Sequence, residues 1–92
     1  MAQEANIIMT NGVTIGIKPK NGTDFSLEEL QTIVDGHIEV LRLTDEQIMI
    51  VNEEGKLNGL GFNAKATRMA REAGYDDFIV GDVLVCPTNM VK

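Results

Sequence analysis

The residues best suited to chemistry lie between Gly59 and Arg68, in the run GLGFNAKATR. Gly59 and Gly61 let a ligand approach the backbone closely, and Asn63 can cap a helix that begins at Ala64. A helix start carries unpaired N–H donors and about half a positive charge, so it attracts anions. Lys65, Thr67 and Arg68 on the first turns could pair with phosphate, and Phe62 could stack on a base. The site reading is that Gly59, Gly61, Phe62, Asn63, Lys65, Thr67 and Arg68 hold a small nucleotide-like anion; the plainer one is a flexible strand-to-helix connection with a solvated basic face. The run is not a P-loop, because no Gly-Lys-Ser/Thr follows a wider glycine spacing. It also lacks the third glycine of a dinucleotide fingerprint.

Other reactive side chains are few. His37 and Glu39 are two apart, so they share a face on a strand, and such a pair can act as a base or as half a metal site. With one His and one Cys in the chain, a metal site would need several carboxylates, and no nucleophile–His–acid triad can be assembled. We expect no enzyme, no cofactor and no metal. Glu53 and Glu54 fall in a turn, where solvation is the simplest reading and contact with a ribose or a cation the sharper one. Asp82, next to Gly81, is expected to serve the local backbone. Cys86 cannot form an intrachain disulfide and reads as a small hydrophobe near a strand end.

These residues must be positioned by one small domain, 1–92, in a chain of 92 residues. A chain of this size buries roughly 60–65% of its unfolded surface, which leaves a thin margin of stability. The core must be aliphatic, since there are three Phe, one Tyr and no Trp. We therefore expect a homo-oligomer. The formal net charge of −6 argues against general nucleic-acid binding, whose affinity comes from neutralising phosphates. It suits a second possibility, an acidic protein-interaction module. No apolar run approaches ~18 residues, and the start of the chain has no basic region of a secretory signal, so we expect a cytoplasmic protein.

Element signals follow in order. Ile7–Met9 and Val13–Ile17 flank Asn11-Gly12, the preferred pair for a two-residue type I′ turn. That turn would set Ile8 opposite Ile15 and Thr10 opposite Val13. Ser26 and Glu29 form a capping box, Phe25 and Leu30 a hydrophobic staple, and Leu27, Leu30, Ile33 and Val34 a helical stripe over residues 27–35. Gly36 is expected to close that helix in the left-handed region. Ile38–Leu43 is expected to be a strand, and the unbroken apolar run Ile48–Val51 a strand buried on both faces. Asn52–Lys56 reads as a hairpin turn with Gly55 at positive φ, and Leu57–Leu60 as a short return strand. Asn63 and Gly74 bracket the second helix. Phe78–Cys86 is expected to be the last strand, with a bulge at Gly81-Asp82. The order β-β-α-β-β-β-α-β gives an α+β, two-layer fold, its sheet antiparallel or mixed and both helices on one face.

Several of these segments together resemble a family of small domains of unknown function, encoded mainly by bacteriophages and other bacterial mobile elements. The matching pieces are SLEELQTIVDGHIEVL, IVNEEGKLNGL, NAKAT and IVGDVLV, which together reach from Ser26 to Val85. The resemblance departs at Gly61, where a proline is common, and at Ala64, where a basic residue is. It implies a phage or plasmid accessory protein, of a kind that often counters host defence by sequestering a nucleotide signal or by binding a host protein.

Overall fold

Two apolar tetrads organise the molecule: Ile48-Met49-Ile50-Val51 and Val83-Leu84-Val85-Cys86. Successive strand residues point to opposite faces, so each tetrad feeds both sides of the sheet. Met49, Val51, Val83 and Val85 pack with Ile8, Ala66 and Ala70 on one face. Ile48, Ile50, Leu84 and Cys86 pack with Phe25, Leu30 and Val34 on the other. There are thus two cores, one on each side of the sheet.

The computed structural model describes residues 4–91. Its strands are β1 (Ala5–Ile8), β2 (Thr14–Ile17), β3 (Ile38–Arg42), β4 (Gln47–Asn52) and β5 (Val83–Pro87), and its helices are α1 (Leu27–Val34) and α2 (Ala64–Glu72). A 3-10 turn, Thr88–Met90, follows β5. The sheet is antiparallel throughout, in the order β2-β1-β5-β4-β3. The α+β class is as the sequence implies, and β4 is an interior strand with five of its six residues buried.

Two features of the expected architecture are corrected. The helices lie on opposite faces, α1 over one core and α2 over the other, so the domain has three layers rather than two. The reason lies in the tetrads, because a strand apolar on both faces needs a cover on each. The expected return strand at Leu57–Leu60 is absent, which leaves the order β-β-α-β-β-α-β. Both neighbours of β4 are already present in β3 and β5. Residues 53–60 instead fold on themselves, with Asn58 N donating to Glu54 O at 2.9 Å and Leu60 N to Gly55 O at 3.0 Å.

Local corrections have equally definite causes. The first hairpin closes through three residues, with Met9 N donating to Val13 O at 2.8 Å and Gly12 N to Met9 O at 2.9 Å. Only Gly12 of its turn has positive φ, which excludes type I′. The register shifts by one, pairing Ile7 with Ile15 and Ile8 with Thr14. Asn11 Oδ1 accepts from Val13 N at 2.9 Å and holds this longer loop.

Helix α1 begins as expected, with both arms of the Ser26–Glu29 capping box formed. Its left-handed cap is Asp35 (φ 62°), not Gly36. Gly36 is needed for close approach, since a Cβ there would stand 2.7 Å from Asn52 Nδ2. That amide donates to Val34 O and Asp35 O at 3.0 and 3.1 Å, so β4 satisfies the carbonyls that end α1.

Gly55, expected at positive φ, is not there; a Cβ at this position would meet Val80 Cγ2 at 2.7 Å. The last strand is shorter than expected. Gly81, at φ 79°, turns the chain, so residues 78–82 stand apart from β5.

Candidate functional site

The segment expected to bind an anion is stitched into the fold. Gly81 N donates to Gly61 O at 2.7 Å and Asn63 N to Ile79 O at 2.9 Å, around an antiparallel bridge between Phe62 and Val80. Asn63 caps α2 through Ala66 N. Its side-chain amide also donates to Ile8 O and Gly81 O at 3.0 and 2.9 Å. Thr67 Oγ1 accepts from Ile79 N at 2.8 Å and donates to Ile79 O at 3.3 Å. Both side chains are buried, and their polar atoms hold the protein's own backbone. Lys65 is exposed, with Nζ donating to Thr14 Oγ1 on β2 at 2.8 Å. Gly59 lies in the exposed turn of residues 53–59.

Phe62 and Arg68 remain available. Together with Arg71 and Glu72 they line a shallow groove of about 490 Å³ along α2. Phe62 is 56% exposed, and neither guanidinium has an ion-pair partner among the described residues. Arg71 went unnoticed in the sequence although it is one helical turn from Arg68 on α2, a spacing that shares a face.

A larger concavity, of about 590 Å³, opens on the same face of the sheet, beyond the turn that follows β4. Its floor is apolar, formed by Leu41 of β3, Val51 of β4 and Ile79 and Val80 from the segment before β5. Tyr75 forms one wall, and Glu39, Glu53, Glu54 and Asp77 bring carboxylates to the lining. Alternation along β3 puts Glu39 on the same face as Leu41. Turn hydrogen bonds position the next two carboxylates, with Glu53 N donating to His37 O at 2.8 Å and Glu54 N to Asn52 Oδ1 at 2.8 Å.

Lys56 is the one cation in this lining, and its charge is already engaged. Its ammonium pairs with the Asp77 carboxylate and stands 4.2 Å from the centroid of the Phe78 ring. Phe78 in turn meets Phe62, with ring centroids 6.3 Å apart and planes inclined at 54°. The Lys56 ammonium and then the Phe78 N–H hold the Asp77 carboxyl below its ordinary range. Glu39, Glu53 and Glu54 have no ion-pair partner among the described residues, so the rim presents net negative charge above an apolar floor.

Of the pair His37 and Glu39, Glu39 lines the cavity, and the His37 carbonyl accepts from Glu53 N. Among the described residues, no three His, Cys, Asp or Glu side chains are grouped to hold a metal ion. Asp82 does not serve the local backbone as expected, but accepts from Thr10 N, 72 residues away, at 3.0 Å. Cys86 is free and fully buried, and burial pushes its thiol up to about 11. Tyr75, Asp77 and Phe78 escaped sequence reading because they lie in a connection whose partners, at 39–41 and 51–57, are distant in the chain. The one local signal was two aromatic residues flanking two aspartates within four positions.

A family model described as a domain of unknown function, DUF3846, matches residues 7–90. The chain belongs to that family. The match takes in every strand after Asn6, both helices, the cavity and the groove. No curated protein and no solved structure gave a match. Among its described residues the DUF3846 domain has no helix long and apolar enough to cross a membrane.

Proposed function

We propose that this DUF3846 domain is a non-enzymatic protein-interaction module whose acidic-rimmed cavity receives a basic side chain of a partner protein. The observation that carries this reading is the combination of an apolar floor, Leu41, Val51 and Ile79, with Glu39, Glu53 and Glu54 on the rim. A lysine or arginine has matching chemistry, with an apolar stem for the floor and a charged head for the carboxylates. Interaction between opposite charges at such a rim speeds encounter and makes binding sensitive to salt. In keeping with the resemblance of the sequence to phage and mobile-element proteins, we place the partner in a bacterial host, with inhibition of that partner as the outcome.

The test is titration of short lysine-rich and glutamate-rich peptides into the protein at low and high salt, read by calorimetry. The lysine-rich peptide should bind, weaken with salt, and lose at least tenfold in affinity to a Glu53→Lys, Glu54→Lys double variant. Lys65→Ala and Arg68→Ala should leave it unchanged. Binding indifferent to the double variant, or absent altogether, ends the proposal.

The groove beside α2 favours a second reading, in which Phe62 stacks on a base while Arg68 and Arg71 pair with phosphate. The domain would then sequester a nucleotide-like anion. Thermal shift against mono- and cyclic nucleotides separates the two readings. A ligand present at 100 times its Kd stabilises by about 2.7 kcal/mol, and that shift should disappear in Arg68→Ala. A flat panel removes this reading.

A further inference from the structure

Strand β3 is a sheet edge, and its free side adjoins the acidic cavity. Leu43 N donates to Gln47 O at 2.9 Å and Glu53 N to His37 O at 2.8 Å. Antiparallel ladders alternate between bonded and non-bonded pairs, so residues 37, 39, 41 and 43 bond to β4. Ile38, Val40 and Arg42 therefore direct their N–H and C=O groups away from the sheet. The Arg42 N–H is taken by the Tyr75 hydroxyl at 2.9 Å. Among the described residues nothing bonds the outward groups of Ile38 and Val40. On one face of this strand Glu39 and Leu41 line the cavity. On the other, Val40 is 48% exposed.

We infer that the partner binds as an extended segment added to the β3 edge, hydrogen-bonded to Ile38 and Val40. This rests on the cavity reading above and deepens it. Strand addition takes its affinity from main-chain bonds and its specificity from alternate side chains. A residue opposite Glu39 falls on the cavity face, where carboxylates select Lys or Arg. Its neighbour falls beside Val40, where an apolar, β-branched side chain packs. The segment that fits thus alternates basic and apolar residues. Tyr75 confines the pairing to the Ile38–Val40 half by occupying the Arg42 donor. The opposite edge, β2, offers no equivalent. It carries Thr14 bonded to Lys65 and runs into Lys18, charges that repel a basic segment.

The experiment uses an eight-residue peptide of alternating Lys and Val, and the same peptide N-methylated at two adjacent central amides, one of a Lys and one of a Val, so that neither strand edge keeps its full set of donors. Binding is read by calorimetry and by hydrogen exchange of the protein amides. The unmodified peptide should bind and slow exchange at Ile38 and Val40, the methylated one should bind at least tenfold more weakly, and Val40→Pro should reproduce that loss. Equal binding of both peptides with no protection of Ile38 and Val40 overturns strand addition and leaves the cavity reading standing. Failure of both peptides to bind overturns both. Protection of these amides in the free protein that rises with its concentration makes a second copy the occupant, and overturns the proposal.

Discussion

Thr67 and Ile79 exchange two hydrogen bonds, the Thr67 hydroxyl accepting from Ile79 N at 2.8 Å and donating to Ile79 O at 3.3 Å. One small side chain on α2 thereby bonds both backbone groups of a residue that belongs to no strand, sharing the Ile79 carbonyl with Asn63 N. Together with Asn63 it locks the segment before β5 against the helix. Replacing Thr67 with Val keeps the shape but strands the Ile79 N–H in the interior, while the Ile79 carbonyl keeps its bond from Asn63 N. An unsatisfied buried group costs roughly 1–3 kcal/mol, so the urea midpoint should fall by an amount in that range, and Thr67→Ser should recover most of it. An unchanged midpoint in Thr67→Val would contradict this account.

Asn63 should be still less replaceable. Asn63→Ala removes the α2 cap and leaves the Ile8 and Gly81 carbonyls without their donor. We expect a loss of about 3 kcal/mol, measured by urea unfolding with the mutant still able to fold. Asn63→Asp should be nearly as damaging, because it keeps the cap acceptor but turns an oxygen towards those two carbonyls.

Gly55→Ala tests a contact rather than a conformation. The added methyl would stand 2.7 Å from Val80 Cγ2, and the β-branched Val80 has little rotamer freedom with which to retreat. Overpacking of this kind costs about 1–3 kcal/mol. Val80→Ala in the same chain should relieve part of the loss, so a double-mutant cycle that comes out additive would refute the clash.

The Ser26–Glu29 box makes a pH prediction. The Ser26 and Lys20 backbone N–H groups hold the Glu29 carboxyl below its ordinary value of 4.5. A carboxyl whose pKa is lowered on folding contributes stability that is present above the unfolded value and is lost as pH falls through the folded one. The stability difference between the native protein and Glu29→Gln should therefore be complete near neutral pH. It should shrink only below 4.5. A difference independent of pH would mean that Glu29 contributes nothing through its charge.

Cys86 should be silent towards thiol reagents. Its thiol is fully buried and raised to about 11 by burial, and only the thiolate reacts. Labelling by a disulfide reagent at pH 8 should follow global unfolding in urea. Immediate labelling of the native protein would show that the α1-side core opens locally.

The signals that proved legible were short-range. The capping box at Ser26 and Glu29, the bracketing of α2 by Asn63 and Gly74, and the interior position of β4 all rest on residues a few positions apart. Even the placement of the helices was present in the two apolar tetrads, which demand cover on both faces, although short connections suggested otherwise. The hairpin register was harder to read, because Asn-Gly suits a two-residue turn and a three-residue one alike. The final choice rested on the Met9–Val13 pairing and on Asp82, which anchors Thr10 from 72 residues away.

The site was the least legible part. Composition alone determines that this chain is an acidic, aliphatic-cored domain. Gly59 to Arg68 looked available because a helix start following glycines exposes donors wherever the rest of the chain leaves room. Tertiary structure took up part of that room, since a buried amide or hydroxyl must be bonded and the nearest acceptors for Asn63 and Thr67 were the carbonyls of Ile8, Ile79 and Gly81, whereas Phe62 and Arg68 line an open groove. It also assembled the cavity, drawing Glu39, Glu53 and Asp77 from three separate segments to one rim. Side-chain type is a property of each residue, but convergence depends on which strands pair and which faces are covered, and those are decided by contacts between residues far apart in the chain.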